Sequence, residues 1–161
     1  MYNRKKSSYK GKPSEKPRFN MSKIDQILID IQRKLRDSIE PYSVENLTSF
    51  ERKRIHSFFD NKEDYETRTY RQDDRFVLKV IPVGNLKRLA KEKAEHVLKT
   101  GEKAVFPYLN NYERYIVHNY LKDFEGIETK SNGEGPNRRL EIKPAKFGRS
   151  LRRIIKKIKL I

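Results

Sequence analysis

The chain has 161 residues, of which 35% are hydrophobic and 37% are charged, and it contains neither cysteine nor tryptophan. This composition supports one ordinary domain or two small ones, without a large apolar interior. It excludes disulfides and thiolate metal sites, and it predicts a protein of a reducing compartment, the cytoplasm. No uncharged apolar segment approaches the ~18 residues of a membrane-spanning helix. The net charge of +16 favours polyanionic partners.

The first 21 residues form a basic, polar arm with seven Lys or Arg side chains and one acid. The arm lacks the apolar core of a secretory signal. Its composition predicts a segment that is disordered until a polyanion orders it. The cations expected to act as anchors are Arg4, Lys5 and Lys6.

Residues 22–83 predict two helices followed by a β-hairpin. The predicted elements are helices over 22–38 and 48–60, and strands over 64–71 and 74–81 with the turn at Gln72–Asp73. Ser22 is the expected N-cap of the first helix, and Thr48 with Glu51 forms a capping-box pattern for the second. Segment 41–46 reads poorly as a strand, so a smaller sheet is expected in this half.

Residues 84–144 predict the same order of elements with one more strand. The predicted elements are helices over 85–99 and 110–123, a short strand over 103–107, and hairpin strands over 125–131 and 138–143. Gly101 is expected to end the first of these helices. The predicted fold class is α+β, with two tandem small units, each of two helices packed on a small antiparallel sheet, and basic arms at both ends.

The last segment, residues 145–161, carries seven Lys or Arg side chains and no acid. Apolar residues at helical spacing predict a basic amphipathic helix. Three uses stay open, in decreasing order of preference: contact with RNA, docking against this protein or a partner, and association with an anionic membrane. The cations expected to contact a polyanion are Arg149, Arg152, Arg153, Lys156 and Lys157.

The chain contains an internal repeat. Residues 47–82 align with residues 109–144 without a gap, at an offset of 62 residues, so that Leu47 aligns with Leu109 and Pro82 with Pro144. Identical pairs include polar as well as apolar residues, among them Arg52 with Arg114 and His56 with His118. A match of both kinds over this length predicts two related units in tandem.

The second copy carries three linked motifs. These are Glu-Arg-x-x-x-His at 113–118, Gly-Glu-Gly-Pro-Asn-Arg-Arg at 133–139, and Lys-Thr-Gly at 99–101. Together they resemble the "R-three-H" family, which is named for an Arg and a His separated by three residues. The likeness covers residues 84–144 and is nearest to the domain that ends bacterial Jag proteins. Jag proteins precede that domain with a KH domain, whose Gly-x-x-Gly loop does not occur before residue 84.

The resemblance implies binding of single-stranded RNA or DNA, without catalysis or a cofactor. Arg and His one helical turn apart share a face, and their donors suit phosphates and bases. The residues expected at the site are Arg114, His118, Lys130, Gly133, Gly135, Arg138 and Arg139. Structural alternatives stay open: an ion pair of Arg114 with an acid such as Glu128, a packed or capping role for His118, and a turn role for the glycines.

The first copy keeps Arg52 and His56 but replaces the glycine-rich hairpin with Asp73 and Asp74, which would repel phosphate. Residues 22–83 have twelve bases and twelve acids, whereas 84–144 have twelve bases and nine acids. We therefore expect the first unit to be a degenerate copy, which serves as a packing platform or as a weaker second site at Arg52 and His56.

The sequence favours a non-catalytic, single-stranded RNA-binding protein of bacterial type, in which the second unit selects the ligand and the arms add affinity. One alternative is a ribosomal or ribosome-associated protein anchored on rRNA by its arms; another is a protein peripheral to the membrane. The sequence shows no catalytic arrangement. It has three histidines, and it lacks both cysteine and a phosphate-binding Gly-Lys-Ser/Thr loop.

Overall fold

A computed structural model describes residues 22–145, and the two predicted basic arms lie outside the described residues, apart from Ala145. The first unit consists of α1 (Lys23–Leu35), β1 (Tyr42–Val44), α2 (Ser49–Asp60), β2 (Glu66–Gln72) and β3 (Arg75–Ile81). The second unit consists of α3 (Val83–Thr100), β4 (Ala104–Val105), α4 (Asn111–Leu121), β5 (Ile127–Asn132), a 3-10 turn (Gly135–Asn137) and β6 (Arg139–Pro144). The predicted α+β class with two small units is confirmed.

Both sheets are antiparallel and have three strands, in the orders β1-β3-β2 and β4-β6-β5. The strand registers repeat at the offset found in the sequence. For example, Thr67 pairs with Val80 in the first hairpin, and Thr129 pairs with Ile142 in the second. Two units with one topology and one register therefore follow each other along the chain.

The expectation of a smaller first sheet was wrong, because Tyr42–Val44 pairs with β3 as a third strand. Tyr42 and Val44 pack against the core of the first unit, and this alternation stabilises the strand. The polar neighbours Glu45 and Asn46 mask the pattern in the sequence. The hairpin turn also lies one residue later than predicted, at Asp73–Asp74, where Asp73 takes a positive φ of 52°.

Each helix pair packs on its sheet through an apolar core, and the core of the second unit also includes Ile81 from the end of β3. In the first unit the core includes Ile31, Ile55 and Leu78, and in the second it includes Leu86, Val117 and Leu140. Helices α1 and α2 begin at the predicted caps, Ser22 and Thr48, and α4 begins at Asn110, which was not predicted as a cap. Each of these three side chains accepts a backbone hydrogen bond from the residue three positions on. Gly101 ends α3 in a left-handed conformation, as expected.

Polar contacts join the two units. The Asn85 side-chain nitrogen, at the start of α3, donates to the carbonyl oxygens of Leu35 and Ser38, both at 2.7 Å, where α1 has ended. The hydroxyl of Tyr112 on α4 donates to the carboxylate of Glu66 on β2. The Arg68 guanidinium carbon lies 3.6 Å from the centre of the Tyr112 ring. The first unit thus contacts α3 and α4 of the second.

Candidate nucleic-acid interface

Arg114 lies near the start of α4, and its side chain is buried and hydrogen-bonded within the domain instead of extending into solvent. Its guanidinium donates to the Leu109 carbonyl and to the Asn111 side-chain oxygen. Only 7% of the residue is exposed. Because both bonds reach back to the residues before and at the helix start, they fix the guanidinium beside the N-terminal end of α4.

His118, one turn further along α4, faces strand β5. Its Nδ1 lies 2.7 Å from the Thr129 hydroxyl, and its Nε2 lies 3.1 Å from the Ser131 hydroxyl. Burial, together with the nearby charges of Arg114 and Arg138, lowers the pKa of His118 below its ordinary value of 6.5. The ring is therefore neutral at physiological pH, with its two nitrogens held by the hydroxyls of Thr129 and Ser131.

The tip of the second hairpin is a tight loop that presents Arg138. Gly133 has φ 87°, and a Cβ there would lie 2.8 Å from the Asn137 carbonyl oxygen and 3.3 Å from the Arg138 Cα. Gly135 also has a positive φ, 49°, but faces open space. The close approach that Gly133 permits is to the loop's own backbone, which places Arg138 in an exposed position at the end of the short 3-10 turn.

Helix α4 and the hairpin enclose a shallow surface depression of about 550 Å³. We call it the α4–hairpin depression, and its lining residues are Asn111, Arg114, Tyr115, His118, Thr129, Lys130, Ser131 and Arg138. Four predicted site residues thus come together here, which are Arg114, His118, Lys130 and Arg138. Lys130 and Arg138 are exposed, so their charges are available at its rim.

The other three predicted residues do not line this depression. Arg139 turns back to donate to the Pro136 carbonyl, and its guanidinium carbon lies 5.6 Å from the centre of the Tyr108 ring. Gly133 and Gly135 shape the loop instead. The sequence grouped these three with the other four because the motif combines the helix with the whole hairpin, whereas only the other four line the depression.

Sequence reasoning missed four lining residues, Asn111, Tyr115, Thr129 and Ser131. Tyr115 is 61% exposed and stands immediately after Arg114, where it offers an aromatic face. The signal for Thr129 and Ser131 was present in the repeat, because hydroxyl residues stand 62 positions earlier at Thr67 and Thr69. Their alternation on one strand brings both hydroxyls to His118.

Residues 84–144 match the family model of the R-three-H domain. The second unit is an R-three-H domain. The match spans the residues for which the motifs predicted it. This domain implies binding of single-stranded nucleic acid, and it is typically a non-catalytic binding domain. No curated protein matches the chain at a significant level.

The first unit repeats the contacts made by the Arg and His of the R-three-H domain. Arg52 donates to the Leu47 carbonyl at 2.7 Å and to the Ser49 hydroxyl at 3.1 Å. The two ring nitrogens of His56 lie 2.5 Å from the Thr67 hydroxyl and 3.0 Å from the Thr69 hydroxyl. Each of these residues lies 62 positions before its counterpart in the R-three-H domain. The two helices and hairpins therefore hold the Arg and His in the same way.

Among residues 22–145, none of the helices has the length and apolar character needed to span a bilayer. The same residues contain no group of three or more His, Cys, Asp or Glu side chains arranged to hold a metal ion.

Proposed function

We propose that the R-three-H domain binds single-stranded RNA in the α4–hairpin depression. Lys130 and Arg138 contact phosphates from the rim, and Tyr115 stacks on a base. Arg114 and His118 form the wall, where the Thr129 and Ser131 hydroxyls hold both ring nitrogens of His118. The observation that carries the proposal is the convergence of two exposed cations and an exposed aromatic ring on one depression of a domain that binds single strands.

The arms have a different role in this proposal. Each carries seven Lys or Arg side chains, and they account for most of the net charge. We propose that they hold the RNA backbone without reading its sequence, while the depression selects unpaired segments. Affinity should then fall with salt, with a log–log slope of about −0.7 per phosphate neutralised on a single strand.

We also propose that the first unit is a related copy whose hairpin has lost the glycines and the two arginines. The shared register and the shared contacts of Arg52 and His56 support this origin. The two aspartates at its turn make it a weaker site for phosphate than the R-three-H domain. The likeness of the R-three-H domain to that of Jag proteins stays a prediction.

The test is a double substitution, Lys130→Ala with Arg138→Ala, in the full chain. Both side chains are exposed, so the fold should persist while affinity for a single-stranded oligonucleotide falls. The matched control is Arg88→Ala with Lys99→Ala, which removes the same charge from exposed positions of α3 outside the depression. Equal losses in both variants would mean that only total charge matters, and the proposed site would be wrong.

A second candidate function is anchoring on ribosomal RNA by the arms, which their concentration of cations favours. Removal of residues 1–21 and 146–161 separates the two. If selective binding of single strands survives without the arms, the R-three-H domain is the reader. If binding disappears and the Lys130 and Arg138 substitutions have no effect in the full chain, the arms alone are the binding elements.

A further inference from the structure

We propose that the first unit carries a second single-strand site, in which a nucleobase stacks on Phe76 beside the Arg52 guanidinium. We call this arrangement of Arg52, His56, Thr67, Thr69 and Phe76 the Phe76 site. It rests on the proposed function in one respect: the ligand is the same class of polymer. It differs from a weakened copy of the α4–hairpin depression because a ring, not a phosphate-binding cation, dominates it.

The framework of the Phe76 site is the one already described for the R-three-H domain. Arg52 and His56 are held by the same kinds of contact as Arg114 and His118, and His56 bridges Thr67 and Thr69 on β2. Arg52 is only half-buried, whereas Arg114 is buried, so more of the Arg52 guanidinium is accessible from solvent.

The decisive difference is an exchange of side-chain types between the two sites. At the offset of 62 residues, Phe76 stands where the R-three-H domain has Arg138, and Lys53 stands where it has Tyr115. At these two positions the first unit has a cation on the helix and a ring on the hairpin, which is the reverse of the R-three-H domain. A random loss of function would not be expected to move the aromatic group from the helix to the hairpin while moving a cation the other way.

The ring of Phe76 is placed where a nucleobase can stack on it. Its side chain is 46% exposed although it is large and apolar, and the Arg52 guanidinium carbon lies 4.7 Å from the ring centre. Strand alternation puts Phe76 on the same face of β3 as Leu78 and Val80, beyond the part of that face that packs in the core. The guanidinium and the ring form the start of a stack that a base extends.

The first hairpin holds Phe76 more rigidly than the second holds Arg138. The ladder between β2 and β3 includes Arg71 with Phe76 and Gln72 with Arg75 before a two-residue turn. In the R-three-H domain the ladder stops at Asn132 with Arg139, and Arg138 lies in the loop. A rigid ring within a strand suits stacking, whereas a cation in a loop suits a phosphate whose position varies.

Charge near Phe76 argues for a base rather than a phosphate as the ligand group. Asp73 and Asp74 form the turn, and Arg71 lies 3.5 Å from Asp74 in an exposed ion pair. Arg68 is engaged by Glu66 and the Tyr112 ring, so we do not count it as a ligand contact. Binding at the Phe76 site should therefore depend less on salt than binding in the α4–hairpin depression.

The experiment uses the absence of tryptophan from the chain. Phe76→Trp introduces a single tryptophan at the site, and Phe50→Trp introduces one at another exposed aromatic position of the same unit, 66% exposed on α2. Each full-length protein is titrated with single-stranded oligoadenylate at raised salt. We expect quenching of the tryptophan at position 76 and little change at position 50, because only the first ring would stack on adenine.

Affinity is measured in parallel with Phe76→Leu and Phe50→Leu, which keep an apolar side chain but remove the ring. The Phe76 variant should bind about five- to 150-fold more weakly, the range for loss of one stacked base, and the Phe50 variant should bind as the parent does. Thermal unfolding of both variants checks that the fold is retained, and Phe76→Tyr should restore affinity.

Equal quenching at both positions, or no quenching at position 76, would overturn the Phe76 site. So would unchanged affinity of the Phe76→Leu variant. These outcomes leave the proposed function intact if the Lys130 and Arg138 substitutions still weaken binding. Conversely, if those substitutions have no effect while Phe76→Leu does, the proposed function fails and the Phe76 site stands.

Discussion

The Nε2 atom of His118 lies 3.1 Å from the Ser131 hydroxyl oxygen, so the second nitrogen of the ring is held by the strand that lines the depression. The other nitrogen is held by Thr129. The pKa of this imidazole is lowered by burial and by the charges of Arg114 and Arg138. A titratable group of this kind makes both stability and binding depend on pH.

Stability should fall with acidification because of His118. Its pKa is lower in the folded protein than in the unfolded chain, so the unfolded chain takes up the proton first. The contribution of neutral His118 is complete above the ordinary pKa of 6.5 and is lost as the pH falls through the folded pKa. Denaturant unfolding between about pH 5 and 8 should show a weaker pH dependence for His118→Gln. The control is His96→Gln, an exposed position on α3, which should leave the dependence unchanged.

Binding should have the opposite pH dependence. A phosphate brought near His118 favours its protonated form, so binding takes up a proton and affinity increases as the pH falls. The affinity of His118→Gln for a single-stranded oligonucleotide should change less between neutral and mildly acidic pH than that of the parent. An identical pH response in the two proteins would exclude His118 from the neighbourhood of the bound phosphates.

Arg114 should matter more for stability than its counterpart Arg52. Arg114→Lys loses the two-point contact to Leu109 and Asn111 in a buried position, and hydrogen bonds from charged groups contribute about 1.5–3 kcal/mol. Arg52→Lys removes the equivalent contacts from a more exposed residue, so its free energy of unfolding should fall less. Equal losses, measured by denaturant unfolding, would show that burial does not distinguish the two sites. Weak binding by an Arg114 variant is therefore not by itself a test of nucleic-acid contact.

The two glycines of the second hairpin should differ in their tolerance of alanine. Gly135→Ala adds a methyl group in open space at a positive φ and should cost about 1 kcal/mol. Gly133→Ala also places a side chain at a positive φ, and in addition it brings a methyl group against the Asn137 carbonyl and the Arg138 Cα. It should destabilise the domain more and weaken binding by displacing Arg138. Equal effects of the two substitutions on affinity would show that the loop does not position Arg138.

Asn85 should stabilise the end of α1 from the second unit. Asn85→Ala leaves the carbonyls of Leu35 and Ser38 without this donor, and we expect a loss of about 1–3 kcal/mol. In the Asn85→Ala variant, the rate of amide hydrogen exchange should increase more around the end of α1 than in the R-three-H domain. Asn119→Ala, at an exposed position of α4, is the control and should change neither measurement. Unchanged exchange near Leu35 in the Asn85 variant would contradict the contact.

The elements and the repeat could be predicted from the sequence by itself because both depend on local pattern. Helical spacing, capping boxes and Gly101 located the helices, and the offset of 62 residues implied one architecture twice. The motif at 113–118 with 133–139 located the R-three-H domain. The strand at Tyr42–Val44 was not predicted, because a segment of only three residues differs from a loop only through its pairing with β3.

What only the tertiary structure decided is which side chains share a surface. Residues that are distant along the chain meet through strand register, which brought Thr129 and Ser131 to His118 and left Arg139 turned away beside Tyr108. The exposure of Tyr115 depends on which face of α4 packs on the sheet, and that of Phe76 on its place near the start of β3, outside the core. Composition and motif determined that the chain suits single strands, whereas burial and register decide which groups are available to bind them, because both are properties of the packed units.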